Sequence, residues 1–232
     1  MIKPIVSFLI LASIAFAEGA RLKGFPNFVA EEARTLKKKK GKKSKMEITN
    51  LTYKQPLSGF FVMVHDCDMV SPLFTFGQPS SDELQALAEG GELEPLRTYY
   101  DGMDGVHSIQ LNPNGGALLP GASVEFEINE LKDYRCLTVA AMAVNTNDCF
   151  VALNGVKVDG SFTYTEPGLD AGTEENNEAC THIPGPACDD TSGNMGGDEN
   201  GYVHVHRGIH GGGDLDASEY DWRNPMVEFK LY

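Results

Sequence analysis

The sequence lacks features that would place the chain in a membrane or give it a common hydrolytic active site. After residue 17 it has no apolar run approaching the roughly 20 residues that a membrane-spanning helix needs. It also has no Gly-x-Ser-x-Gly phrase, the turn that presents a nucleophilic serine in many esterases. We therefore predict no membrane span, and the sequence does not indicate a serine-hydrolase site.

Basic residues are scarce after residue 45. Residues 1–45 hold 11 of the 19 Lys and Arg residues and only 3 of the 33 Asp and Glu residues. The remaining residues therefore hold 8 basic and 30 acidic side chains, a net charge of −22, against −14 for the whole chain. A domain this acidic repels phosphates, so we expect no nucleic-acid partner, whereas a divalent cation would offset its clustered carboxylates.

The first 17 residues have the pattern of a secretory signal peptide. Lys3 supplies the positive start, residues 5–16 form a short apolar run, and Ala15-Phe-Ala17 fits the small-x-small cleavage rule. We predict cleavage before Glu18 and a secreted, extracellular protein. The sequon Asn50-Leu-Thr52 fits this location and makes Asn50 the predicted glycosylation site.

Residues 18–45 have the composition of a basic leader or linker. Six lysines between positions 37 and 43 repel one another and are not expected to pack. The block suits cleavage by a protease specific for basic residues, a solvated tail, or an arm that binds anionic glycans. We predict that the folded domain spans residues 46–232.

Five cysteines are expected to pair in a secreted chain, but an odd number leaves one thiol free or bound to another chain. Cys180 and Cys188 enclose a short loop and are the best predicted disulfide. The pairing of Cys67 with Cys136 or with Cys149 stays open.

Most of the domain has the short alternating or continuous apolar runs that are typical of β-strands. Asn154-Gly155 predicts a hairpin turn, and residues 166–200 predict a long acidic connection stapled by a disulfide. We therefore predict a mainly β fold, an antiparallel β-sandwich of one domain. The predicted strands are residues 47–53, 60–64, 123–128, 136–144, 150–153, 162–165 and 226–231.

One short helix is predicted. Ser80 and Glu83 have the spacing of a capping box, in which each side chain meets a free amide of the first turn. Residues 84–88 supply an apolar face, and Gly90-Gly91 ends the helix.

Three of the six histidines fall in the glycine-rich residues 201–214. His204, His206 and His210 are candidate ligands for zinc or copper, since imidazole suits both metals. Such a metal would be the basis of a secreted metal-dependent enzyme. Alternatively, these imidazoles form hydrogen bonds with the acidic loops or the backbone. The single tryptophan, Trp222, is predicted to be buried.

Carboxylates offer a second candidate metal site. Asp148 follows a run of turn residues, and Asp170 and Glu174 lie in a glycine-containing loop that can curl oxygens around one centre. Calcium binds about six to eight oxygens and suits a flexible loop of this kind. The alternative is that these side chains cap turns.

Several phrases, taken in order, resemble the spondin domain of F-spondin and mindin, and most of all its stand-alone relatives in microbes and marine eukaryotes. Together they extend over residues 46–232, and their order and number make the resemblance specific. The phrases are Ile48-Thr-Asn-Leu-Thr52, Leu73-Phe-x-Phe-Gly-Gln-Pro79, Glu83-Leu-Gln-Ala-Leu-Ala-Glu89, Asn145-x-Asn-Asp-x-Phe-Val-Ala-Leu153, Leu169-Asp-Ala-Gly-Thr-Glu-Glu-Asn176, His182-Ile-Pro-Gly-Pro186, the histidine-glycine stretch from 201 to 214, and Tyr220-Asp-Trp-Arg-Asn-Pro225.

The resemblance implies a C2-like β-sandwich, a place in the extracellular matrix or at the cell surface, and a calcium ion at one end of the sandwich. By the same resemblance, the carboxylates of Asp148, Asp170 and Glu174 hold the calcium. A strand glutamate contributes as well, and Glu125 or Glu127 is the candidate.

The sequence departs from the family at two positions near this site. Cys149 stands where the family has tryptophan, Glu174 stands where animal members have aspartate, and the thrombospondin repeats of those members are missing. We expect a secreted calcium-binding adhesion or recognition module whose partner is an extracellular-matrix or cell-surface protein or glycan. A metal-dependent enzyme and a passive matrix structural protein are the alternatives.

Overall fold

The computed structural model describes residues 44–112, 116–129, 135–188 and 201–232. All the described residues belong to one compact unit, Gly41–Tyr232. The predicted signal peptide and the lysine block of the leader lie outside the described residues. Within the described ranges, no helix is both long enough and apolar enough to cross a membrane.

Two antiparallel sheets contain the ten strands of the described residues, which confirms the predicted mainly β sandwich. The first sheet has the order β4 (Ser123–Ile128), β1 (Ser44–Asn50), β10 (Val227–Leu231), β7 (Phe162–Glu166). The second has the order β3 (Val106–Leu111), β2 (Phe61–Asp66), β5 (Arg135–Met142), β6 (Cys149–Lys157), β8 (Leu169–Asp170), β9 (His204–Val205). Since β1 begins at Ser44, the last two residues of the predicted leader belong to the first strand.

The core consists of two layers of apolar side chains, one on each face of the six-stranded sheet. Between the sheets, Val227, Phe229 and Leu231 of β10 are buried in the larger layer, as their alternation predicts. On the other face, Phe61 and Met63 of β2 pack in the second layer under the helices. Because β2 is covered on both faces, its sequence is a continuous apolar run instead of an alternating one.

Helix α1 (Asp82–Gly90) is the predicted helix, but its N-cap is shifted by one residue. The Ser81 hydroxyl, rather than that of Ser80, accepts the Leu84 N–H at 3.3 Å. Ser80 instead donates its hydroxyl to the Ala171 carbonyl at 2.8 Å, so it ties the helix start to the loop after β8.

Two further helices, α2 (Glu94–Tyr100) and α3 (Ala217–Tyr220), are missing from the prediction. The N-cap of α2, Leu93, forms no side-chain cap, and a proline lies in the first turn. A helix of seven residues without a side-chain cap gives a weak signal, and the proline in its first turn was the local sign that the prediction missed. Leu96 and Tyr100 are buried one turn apart.

The hairpin predicted at Asn154-Gly155 is wrong. Strand β6 runs through both residues, and the register of the β5–β6 pair shifts opposite them, between Leu137 and Val139. Gly155 has a φ of 65°, which is found both in tight hairpin turns and in glycine-type strand bulges. The Asn154 side chain donates to the Phe74 carbonyl at 2.8 Å, a long-range contact that the local sequence does not reveal.

The cysteines form two disulfides. Cys180–Cys188 confirms the predicted staple, and Cys67–Cys136 resolves the pairing that the sequence left open. Cys149 is the free thiol; it is buried, and burial raises its pKa well above the usual value.

Candidate functional site

The predicted metal-site aspartates lie side by side at one end of the sandwich. Asp148 immediately precedes β6, and Asp170 is the last residue of β8. Because Cys149 pairs with Asp170 in the antiparallel register, Asp148 lies beside the turn that follows β8. The Ala171 N–H donates to the Asp148 carbonyl at 3.2 Å and closes this corner.

Asp148 is fully buried, and its two carboxylate oxygens differ in their surroundings. Oδ2 accepts the N–H groups of Thr173 (2.8 Å) and Glu174 (3.1 Å). Oδ1 has no hydrogen-bond partner among the described residues. Burial, followed by the nearby Asp170 carboxylate, raises the pKa of Asp148 to about 7. Ionised Asp148 is therefore a buried charge that its hydrogen bonds do not fully compensate.

Asp170 is also buried, and both of its oxygens accept hydrogen bonds. Oδ1 accepts the Gly172 N–H at 2.8 Å, and Oδ2 accepts the Asn176 amide at 2.6 Å. The His204 Nε2 atom lies 3.6 Å from Oδ2. Together with Asp148, Asp170 gives the site two buried carboxylates that favour a cation.

His206 is a structural residue that orients Asn176. Its Nδ1 atom accepts the Gly208 N–H at 3.0 Å, so Nε2 carries the proton and donates to Asn176 Oδ1 at 2.8 Å. The ring stacks on Trp222 with centroids 5.2 Å apart. Burial lowers the pKa of His206 to about 4, which keeps the imidazole neutral. Trp222 is itself buried, as predicted.

The three histidines do not form one metal centre. Both ring nitrogens of His206 form hydrogen bonds, and His210 is exposed. His204 is half-buried; its Nδ1 atom donates to the Tyr202 carbonyl at 2.9 Å, and its Nε2 atom lies 3.6 Å from Asp170 Oδ2. Across residues 44–112, 116–129, 135–188 and 201–232, no three His, Cys, Asp or Glu side chains form a group that could hold a metal ion.

The Glu178 carboxylate fixes the conformation of the glycine-rich segment that follows His206. It is buried and accepts the N–H groups of His210 (2.5 Å) and Gly212 (2.8 Å). A Cβ atom at Gly213 would lie 2.5 Å from the Glu178 carbonyl oxygen, so a side chain there would collide with the backbone. The segment is therefore a loop wrapped around one carboxylate.

Glu174 lies on the same loop as these residues and is buried. Asn147, which precedes Asp148, donates its amide to Glu174 Oε2 at 3.5 Å and accepts the Glu178 N–H at 3.3 Å. The loop thus joins the aspartate pair to the glycine-rich segment.

Glu125 does not join this cluster. It lies on the exposed face of β4, where its carboxylate accepts hydrogen bonds from Lys45 and Tyr232, each at 2.5 Å. Glu127 points to the same exposed face. Alternation along β4 already sends both side chains away from the core, so the sequence contained the signal for this.

The glycosylation prediction at Asn50 is contradicted by the structure. The Asn50 side chain is fully buried, and its amide donates to the carbonyls of Gln55 (2.8 Å) and Leu118 (3.0 Å). Its Oδ1 accepts the Thr52 hydroxyl at 2.7 Å. A glycan on this nitrogen would remove a donor and have no room in the core.

The aspartate pair fits calcium in part. The donors are hard oxygens, Asp148 Oδ1 is buried without a hydrogen bond from the described residues, and the pair is adjacent. Calcium needs more oxygens than these, and loop carbonyls and asparagine side chains are ligands of the required type. Sequence reasoning missed Asn147, Asn176 and Glu178 because polar loop residues give no sign of burial.

Comparison with known proteins does not assign this chain to a family. No protein-family model matches the chain, and a search of curated proteins found no match. The functional argument therefore rests on the geometry of these residues and on the resemblance in the sequence.

Proposed function

We propose that this protein is a secreted, spondin-like recognition module that binds calcium at the sandwich end formed by Asp148 and Asp170. Its partner would be a protein or glycan of the extracellular matrix or cell surface. The β-sandwich, the two disulfides and the order of the sequence phrases are consistent with this proposal.

The observation that carries the proposal is the unpartnered Asp148 Oδ1 beside a second buried carboxylate. Glu89 also has buried oxygens without hydrogen bonds among the described residues, so an unpartnered oxygen alone does not identify a site. The adjacent Asp170 distinguishes Asp148, since two buried negative charges repel each other unless a proton or a cation is present.

A bound calcium ion would supply the positive charge that this pair lacks. The chain's own residues would then hold the loop in one arrangement. Asp148 keeps the N–H groups of Thr173 and Glu174, and Asp170 keeps the Asn176 amide, which His206 orients. The loop at residues 171–178 and the segment at 201–212 would thereby present a fixed surface to a partner.

Calorimetric titration with calcium, after removal of divalent ions, tests the metal assignment. We expect Asp148→Asn to weaken calcium affinity by about tenfold or more, because it removes a charged ligand. The matched control is Asp159→Asn, an exposed aspartate in the β6–β7 turn, which should bind as wild type does. Equal affinity in the Asp148 and Asp159 variants, or no binding by wild type, would disprove the assignment.

Capture of glycans from an array, and of extracellular-matrix proteins from solution, tests the recognition role. Binding that needs calcium and disappears with a chelator supports it. Binding that a chelator leaves unchanged, or no binding at all, favours the passive matrix protein instead.

A further inference from the structure

A cavity of about 230 Å³ opens beside the two longer helices. It lies where residues 69–73 meet the start of α1 and the end of α2. Its lining includes Met69, Tyr99, Tyr100 and Met103. The proposed calcium site uses none of these residues, so the cavity needs an explanation of its own.

Two tyrosine rings form adjoining walls of the cavity. The rings of Tyr99 and Tyr100 have centroids 4.9 Å apart and planes at 87° to each other. Tyr100 is 6% exposed and packs on Phe61 at 5.9 Å, whereas Tyr99 is 53% exposed. One ring is thus fixed in the core, and the other stands at the mouth.

Two methionines add polarisable sulfur to the walls. Met69 is 60% exposed, and Met103 lies in the turn that follows α2. That turn packs tightly on Met69, because a Cβ atom at Gly105 would lie 2.7 Å from the Met69 Cβ. The backbone of this turn therefore lies against the base of the Met69 side chain.

Acidic residues are close to the lining residues of the cavity, in space or along the chain. Burial, followed by the electrostatic effects of Tyr99 and of the nearby Glu83, raises the pKa of Tyr100 to about 12, so the phenol stays neutral. Arg97 on α2 is bound by Glu94 at 2.7 Å. Four exposed aspartates each lie next to a lining residue in the sequence: Asp68, Asp82, Asp101 and Asp104.

We propose that this cavity binds an alkylammonium head group, either a small quaternary ammonium compound or a lysine side chain. The aromatic rings of Tyr99 and Tyr100, which both line the cavity, attract a weakly hydrated cation, and the exposed aspartates beside the lining residues in the sequence add long-range attraction. The cavity is smaller than the roughly 300–1,000 Å³ of sites for drug-sized ligands and larger than the ~150 Å³ that holds benzene. Its size therefore suits a head group.

The test compares choline with its uncharged isostere 3,3-dimethylbutan-1-ol, by nuclear magnetic resonance of the full chain labelled at the methionine methyl groups. We expect choline to shift the Met69 and Met103 signals and to bind about tenfold more tightly than the alcohol, from cation–π attraction. Met46 and Met226 are fully buried in the other core layer and serve as internal controls. Nα-acetyl-lysine amide, titrated in the same way, distinguishes the lysine source from the quaternary one.

Variants at the exposed ring separate charge recognition from simple filling of the cavity. Tyr99→Phe keeps the ring and should keep the preference for choline, whereas Tyr99→Leu should abolish it. Tyr164→Leu, at an exposed tyrosine of β7, should leave it intact. Equal binding of choline and the alcohol, a preference that survives Tyr99→Leu, or no shift with either cation would each overturn the proposal.

Discussion

Asp148 and Glu178 are two buried carboxylates joined through Asn147, yet their surroundings differ. Both Glu178 oxygens accept backbone N–H groups from the glycine-rich segment. Asp148 gathers its donors on Oδ2 and leaves Oδ1 without a hydrogen bond from the described residues. Asp170 lies beside it and opposes its ionisation.

The difference separates a structural carboxylate from a candidate ligand. A buried charge that is fully hydrogen-bonded holds the fold together, and its loss leaves backbone donors unpaired. A buried charge that lacks a partner costs stability until a proton or a cation neutralises it. The two residues should therefore respond in opposite ways to neutral substitutions.

Glu178→Ala should have the largest effect. It leaves the N–H groups of His210 and Gly212 without their acceptor, so we expect a loss of about 3–4 kcal/mol in the free energy of unfolding. Chemical denaturation measures this, and the exposed Glu175→Ala in the same segment is the control. If Glu178→Ala loses no more free energy of unfolding than Glu175→Ala, Glu178 does not stabilise the fold as a structural carboxylate.

Asp148→Asn should stabilise the calcium-free protein. At pH 8 it removes an uncompensated buried charge, and we expect a gain of about 1–3 kcal/mol in the free energy of unfolding. The same denaturation measurement checks the sign. With saturating calcium the order should reverse, because wild type gains the binding energy that the variant lacks.

The gain in Asp148→Asn should depend on pH. The pKa of Asp148 is raised from 3.8 to about 7, so its neutral form stabilises the fold at low pH, and that stability is lost as the pH rises through about 7. The difference in the free energy of unfolding between Asp148→Asn and wild type should therefore grow as the pH rises from 3.8 to about 7, and it should stay constant above pH 7. A difference that is constant with pH would contradict the buried pair.

His206 should produce a smaller, opposite dependence on pH. Its pKa is lowered from 6.5 to about 4, so its contribution is present above pH 6.5 and is lost as the pH falls towards 4. Compared with His206→Gln, wild type should lose about 1–2 kcal/mol more between pH 7.5 and pH 5. His204→Gln keeps His206 and should show the wild-type loss.

Glu125→Gln should have the smallest effect. The side chain is exposed on β4 and pairs with Lys45, so neither stability nor calcium affinity should change measurably. Calorimetric titration of this variant checks the assignment directly. A large loss of calcium affinity would return Glu125 to the site and contradict the geometry described above.

Local periodicity made much of the fold predictable. Residues 123–128 and 227–231 alternate, and their burial follows the alternation, whereas Met226 is buried against it. The local sequence gave a wrong prediction at Asn154-Gly155, because a hairpin turn and a strand bulge can both contain a glycine with a positive φ, as Gly155 has. The Asn154 amide donates to the distant Phe74 carbonyl, a contact that the local sequence does not reveal.

The candidate site was only partly predictable, for a related reason. Asp148 and Asp170 follow from the resemblance, and the register of β6 and β8 brings them together. Asn176 and Glu178 are ordinary polar loop residues in the sequence, and only their long-range hydrogen bonds place Asn176 beside Asp170 and bury Glu178. At Asn50 the sequence predicted an exposed site, but the residue is buried. A sequon is recognised from three residues alone, and it carries no information about the core around them.

The alkylation rate of the free thiol of Cys149 measures how often this end of the molecule opens locally. Cys149 follows Asp148 directly, and Gly168 lies so close that any side chain there would meet Cys149, Met226 and Trp222. An alkylating reagent can therefore reach the sulfur only during transient opening of this corner. The rate of alkylation under native conditions therefore reports how frequently the corner opens. A ligand that stabilises the closed corner lowers this rate even if the average structure does not change.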